Sequence, residues 1–162
     1  MESATWDTTK RFYPTFKIGR VIKVYDADTI TIATELMGEI YRFPVRLYGI
    51  DAPELHPKTK LSNNSTLEEI KKEEERINLE KQCAIGLKNM VTDLILFKIV
   101  NIELIEDEDK YGRSLGKIEI PVDCINDDEL DLSKCLLNRG LVSAYNGGKK
   151  EEWTFEKLRI IQ

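Results

Sequence analysis

Between Thr29 and Thr34 nearly every residue is β-branched, and the order is regular: Ile30 and Ile32 fall on one face, Thr29 and Thr31 on the other. Such alternation suits a half-buried strand and disfavours an amphipathic helix, whose apolar residues recur every three or four positions. Acids bracket the run. Asp26 and Asp28 precede it, and a second β-like run, Ile40 to Ile50, leads into Asp51-Ala52-Pro53-Glu54. Met37-Gly38-Glu39 between the two runs predicts a hairpin turn. One arginine, Arg46, interrupts the apolar residues of the second run. Hard oxygen donors at strand ends, with a guanidinium beside them, suit a divalent cation that must also hold a phosphate.

Strict alternation would place Arg46 and Asp51 on opposite faces of one strand. For both to reach one site, Asp51 must lie beyond the strand or Gly49 must mark a bulge. Upstream, Ile18, Val21, Ile22 and Val24 form a β-rich run ending at Tyr25-Asp26; downstream, Val100, Ile102 and Leu104 alternate within Lys98 to Ile105, and Leu115 to Ile120 is stopped by Pro121. Between these strands, Ser65 followed by Glu68 predicts a capping box and a helix start. Ile70, Ile77, Ala84, Leu87, Val91 and Leu94 then share one stripe, and the charged start Glu68 to Arg76 is expected to project into solvent. Asp131 is placed to cap a short helix carrying Leu132, Cys135 and Leu136 and ended by Arg139-Gly140; Phe155, Leu158 and Ile161 mark a last helix. The expected fold is mostly β with helices, an α+β chain: a five-stranded OB-fold barrel with about three helices. Residues 17–162 are expected to form a single domain after an N-terminal arm, 1–16.

Composition excludes several classes of chemistry. Three cysteines without C-x-x-C spacing and one histidine, His56, give neither a zinc site nor a disulfide framework. No apolar run approaches the ~20 residues of a membrane span, and the first residues lack the apolar core of a signal peptide, so an intracellular, reducing location is expected. A net charge of −5 means that binding of nucleic acid must come from a local cationic cluster rather than the whole surface. Lys58 and Lys60 in the loop after Glu54 are candidates for steering phosphate, and His56 is expected on the loop surface.

Three motifs occur in order: D-x-D-T at Asp26 to Thr29, V-R-L with I-D-A-P-E at Val45 to Glu54, and K-Y-G-R-S-L-G at Lys110 to Gly116. Together they resemble the staphylococcal nuclease family, loosely over residues 17–161. The resemblance implies calcium, Ca2+, held by Asp28, Asp51 and the backbone carbonyl of Ala52. It implies Glu54 beside the metal, orienting or deprotonating the attacking water, and Arg46 and Arg113 gripping the phosphate. It further implies Lys110, Tyr111 and Tyr145 on the substrate nucleotide. Ala52 stands where the staphylococcal motif has threonine, which preserves a backbone carbonyl ligand. The implied activity is calcium-dependent hydrolysis of DNA and/or RNA phosphodiesters leaving 3′-phosphate ends, by a monomer. The competing reading is a non-catalytic OB-fold module that binds nucleic acid or protein. Retention of Asp28, Arg46, Asp51, Glu54 and Arg113 separates the two, and all five are present.

Overall fold

A computed structural model describes residues 3–5, 7–9, 15–62, 64–108, 113–121 and 130–161 of the chain. The elements run β1 (Ile18–Asp26), β2 (Thr29–Leu36), β3 (Glu39–Leu47), β4 (Gly49–Asp51), α1 (Leu67–Ile95), β5 (Ile99–Glu108), β6 (Ser114–Glu119), α2 (Leu132–Asn138), β7 (Ser143–Tyr145) and α3 (Phe155–Ile161). Five of the strands close into a barrel in the order β1-β2-β3-β6-β5. This is the expected α+β architecture, an OB-type barrel with three helices.

The β2–β3 hairpin turns at Met37 and Gly38, both at positive φ (54° and 83°), the backbone that a two-residue turn needs to match strand twist. It sets Thr29 directly across from Arg46. Closure comes from a parallel pairing of β3 with β6, in which Arg46 faces Leu115. Arg113, one residue before β6, is thereby delivered to the same end of the barrel as Arg46 and Thr29.

The long third strand anticipated over Ile40 to Ile50 is broken in two. Tyr48 donates its N–H to the Gly116 carbonyl, Gly49 takes φ +84°, and β4 leaves the barrel to pair with β7, Asp51 opposite Ser143. A positive φ costs glycine almost nothing, so the corner falls there. Asp51 thus lies beyond the barrel strand. The β4–β7 ribbon was not anticipated, since three-residue strands carry too little periodicity to read.

α1 has 29 residues, about 44 Å at 1.5 Å each. Its C-terminal half supplies Leu87, Val91 and Ile95 to the main core, with Val21, Ile30, Ile32, Val45, Leu47, Ile50 and Ile118. Cys83 lies farther toward the N-terminus, in a smaller cluster with Trp153 and Leu158. Ile70, Ile77 and Leu94 are only half-buried, so the fully buried stripe is Cys83, Ala84, Leu87, Val91 and Ile95. The cap sits one residue later than expected: Thr66 Oγ1 accepts from Glu69 N–H at 3.2 Å, and Glu69 Oε2 accepts from Thr66 N–H at 2.7 Å. Ser65 is engaged elsewhere, accepting from Ser62 N–H. The charged helix start does not lie wholly in solvent either, because Arg76 is buried between Glu73 and Glu80. At α2 the Asp131 cap is as anticipated, accepting from Lys134 N–H. Among the described residues no helix is long and apolar enough to cross a membrane.

Candidate active site

Asp28 and Asp51 come from different parts of the chain, one from the turn between β1 and β2 and one from the end of β4. Both are buried, and a single guanidinium joins them. Arg46 Nη1 lies 2.6 Å from Asp28 Oδ2, and Nη2 lies 3.3 Å from Asp51 Oδ1. The same two nitrogens donate to the backbone carbonyls of Asp28 and Ile50, at 3.3 and 3.0 Å. Arg46 is therefore not the surface residue that a strand-edge arginine would be; it is 7% exposed and holds the two acids in register.

Asp28 is further fixed by the Ala52 N–H, which donates to Oδ2 at 2.9 Å, and by the Thr29 hydroxyl, which donates to Oδ1 at 3.0 Å. The Ala52 contact places that residue against Asp28, so its backbone belongs to the site. Thr29 Oγ1 in turn accepts from Arg113 Nη1 at 3.0 Å. The two arginines thus approach the Asp28 carboxylate by different routes, Arg46 directly and Arg113 through Thr29.

Asp51 meets a second cation that sequence reasoning missed. Lys150 Nζ stands 2.7 Å from Asp51 Oδ1 and 2.7 Å from Glu54 Oε1. Glu54 is exposed, but this ammonium gathers it beside the buried Asp51. Nothing in Gly147-Gly148-Lys149-Lys150 signals the role, because the lysine reaches back across 96 residues to Glu54.

Electrostatics reflect the burial. Desolvation pushes the Asp28 carboxyl up to about 7, against the pull of Arg46 and the Ala52 N–H. Burial also raises Asp51, opposed chiefly by the Lys150 hydrogen bond and charge. For Lys150 burial disfavours the charge, yet its hydrogen bonds to Asp51 and Glu54 outweigh that and hold it above the ordinary lysine value.

Of the remaining candidates, Tyr145 is half-buried on β7 and donates its hydroxyl to the Gly148 carbonyl, bracing the turn that leads to Lys150. Lys110 and Tyr111 lie outside the described residues. Lys60 pairs with Glu152 at 3.2 Å, and His56 is exposed.

The donor set is two carboxylates and a carbonyl-bearing backbone segment, all hard oxygen, which suits calcium or magnesium rather than zinc. Among the described residues no group of three or more His, Cys, Asp or Glu gathers in a metal-holding arrangement. The cations now facing Asp51 are an ammonium and a guanidinium.

The family model described as staphylococcal nuclease homologue matches residues 44–161. That span contains Arg46, Asp51, Ala52, Glu54, Arg113, Tyr145 and Lys150, and leaves Asp28 and Thr29 outside it. A search of curated proteins finds no match to the chain.

Proposed function

We propose that this chain, which belongs to the staphylococcal nuclease homologue family, is a calcium-dependent nuclease that hydrolyses phosphodiester bonds of DNA and/or RNA. One observation carries the reading: Asp28 and Asp51, at 6% and 2% exposure, are brought from separate elements onto one shared guanidinium, that of Arg46. Apolar side chains of similar volume would hold this end of the barrel at least as well, because the desolvation of buried charges offsets much of their attraction. A pair of carboxylates kept there against that cost fits a cation-binding duty.

Asp28, Asp51 and the backbone carbonyl of Ala52 would hold the calcium, which when bound neutralises phosphate charge and polarises the phosphoryl group. Glu54, exposed and beside Asp51, orients the attacking water and accepts its proton. Arg113, half-buried against Thr29, reaches the phosphate oxygens from the opposite side of Asp28. Arg46 steadies both carboxylates and shares charge with the phosphate as negative charge builds in the transition state. Tyr145 stands by the nucleotide, with Lys110 and Tyr111 completing its contacts. In-line attack that expels the 5′-oxygen leaves 3′-phosphate ends. The chain works as a monomer.

A second reading, a non-catalytic OB-fold module binding nucleic acid or protein, draws on the net charge of −5 and on the engagement of both Arg46 terminal nitrogens within the protein. Plasmid degradation measured with calcium and with chelator separates the two. Degradation that requires calcium supports the nuclease; binding without cleavage in either condition supports the module.

A further inference from the structure

Glu54 has an exposed side chain that meets Lys150, and its backbone is held as well. That backbone is tied to α1. Glu54 N–H donates to Glu80 Oε1 at 3.2 Å, Lys60 N–H donates to Glu73 Oε1 at 3.0 Å, and Arg76 Nη2 donates to the Lys58 carbonyl at 3.3 Å. The three helix side chains also bind one another. Arg76 Nε and Nη2 each donate to Glu73 at 2.8 Å, and Nη1 pairs with Glu80 Oε2. Arg76 and Glu80 are 7% and 4% exposed, although Arg76 ends the charged stretch expected in solvent.

Stability gives no reason for this arrangement, since buried ion pairs are commonly neutral or costly relative to well-packed apolar residues. Every side-chain hydrogen bond the network makes beyond itself, among the described residues, goes to the backbone of the loop between Glu54 and Lys60. We propose that Glu80 and Arg76 are positioning residues for phosphodiester cleavage. Arg76 fixes Glu80, Glu80 fixes the Glu54 amide, and the Glu54 carboxylate is thereby aimed beside Asp51, where Lys150 now bridges the two at 2.7 Å. The inference rests on the nuclease reading above. Misplacement of a catalytic group by about 1 Å costs on the order of a hundredfold in rate, so an anchor on the same residue's backbone is enough to matter.

The test is the double variant Arg76→Met/Glu80→Leu built on Glu73→Gln, which removes the anchor, fills its volume with apolar atoms and leaves no carboxylate stripped of its guanidinium. It should fold with a melting temperature near that of the wild type, lose about tenfold or more in kcat with little change in KM, and exchange its Glu54 amide hydrogen faster. Glu80→Gln, which keeps an acceptor for that N–H, should recover much of the lost kcat. An active wild type with an equally active double variant, or activity that falls only with the folded fraction, overturns the proposal alone. A wild type that cuts nothing overturns the nuclease reading, and the proposal with it.

Discussion

Replacing Lys150 by methionine keeps most of the aliphatic stem and deletes the ammonium that bridges Asp51 and Glu54. The lysine side chain is 46% exposed, so its contact with the exposed Glu54 counts for little once solvent screening is allowed. Its contact with Asp51 counts for more, because that carboxylate is 2% exposed and, among the described residues, retains Arg46 Nη2, at 3.3 Å, as its charged partner. Loss of half-exposed support from a buried acid suggests about 1–2 kcal/mol of destabilisation in the metal-free chain. The same quantity opposes calcium in the wild type, since the cation must take Asp51 from the ammonium. At 1.4 kcal/mol per tenfold, Lys150→Met should bind calcium about 5- to 30-fold more tightly. Calorimetric titration with calcium and thermal unfolding in chelator measure the two halves. Lys149→Met, an exposed neighbour, removes the same formal charge and should change both far less. Unchanged calcium affinity in Lys150→Met, or a change matched by Lys149→Met, would refute the competition.

Arg113→Ala should lower turnover by tenfold or more while leaving the barrel folded, because Arg113 stands one residue before β6 and donates to Thr29 at the site. Arg46→Lys should cost both activity and melting temperature, since one ammonium cannot replace a fork whose two ends serve Asp28 and Asp51. The hydrogen bond from Arg76, above all, holds the Glu73 carboxyl below its ordinary value of 4.5. Its stabilisation is therefore full above pH 4.5 and is lost as pH falls through the lowered folded value, and Glu73→Gln should flatten the acid limb of the unfolding curve. With net −5 and about two to four phosphate contacts, the log–log salt slope for duplex DNA at saturating calcium should be shallow, roughly 2–4 in magnitude, and a repressor-like slope would reveal a basic surface elsewhere.

The barrel was legible because its strands are runs rich in β-branched and apolar residues, and some carry a clear period of two, as Ile30 and Ile32 do against Thr29 and Thr31. The carboxylates were legible from their place in three ordered motifs. What escaped depends on tertiary reach. Lys150 meets Asp51 only because β7 pairs with β4 and returns the following turn to the site. Arg76 read as part of a solvated helix start and Glu80 drew no expectation, since their burial is decided by a loop packed onto α1 rather than by their neighbours in sequence. Thr29 sat within a quoted motif, yet its bridging role required knowing that the parallel β3–β6 pairing carries Arg113 to it. The break of the third strand was half visible: Gly49 marked the corner, but the partner that draws β4 out of the barrel lies far along the chain and is paired only in the folded state, Ala144 opposite Ile50 and Ser143 opposite Asp51.

The most direct measurement is cleavage of an end-labelled single-stranded oligonucleotide by the wild type and by Asp51→Asn, side by side at saturating calcium. The wild type should cut to 3′-phosphate products, and the variant should be slower by about a hundredfold or more. Equal rates in the two proteins, or an oligonucleotide bound by both and cut by neither, would contradict catalysis at this site.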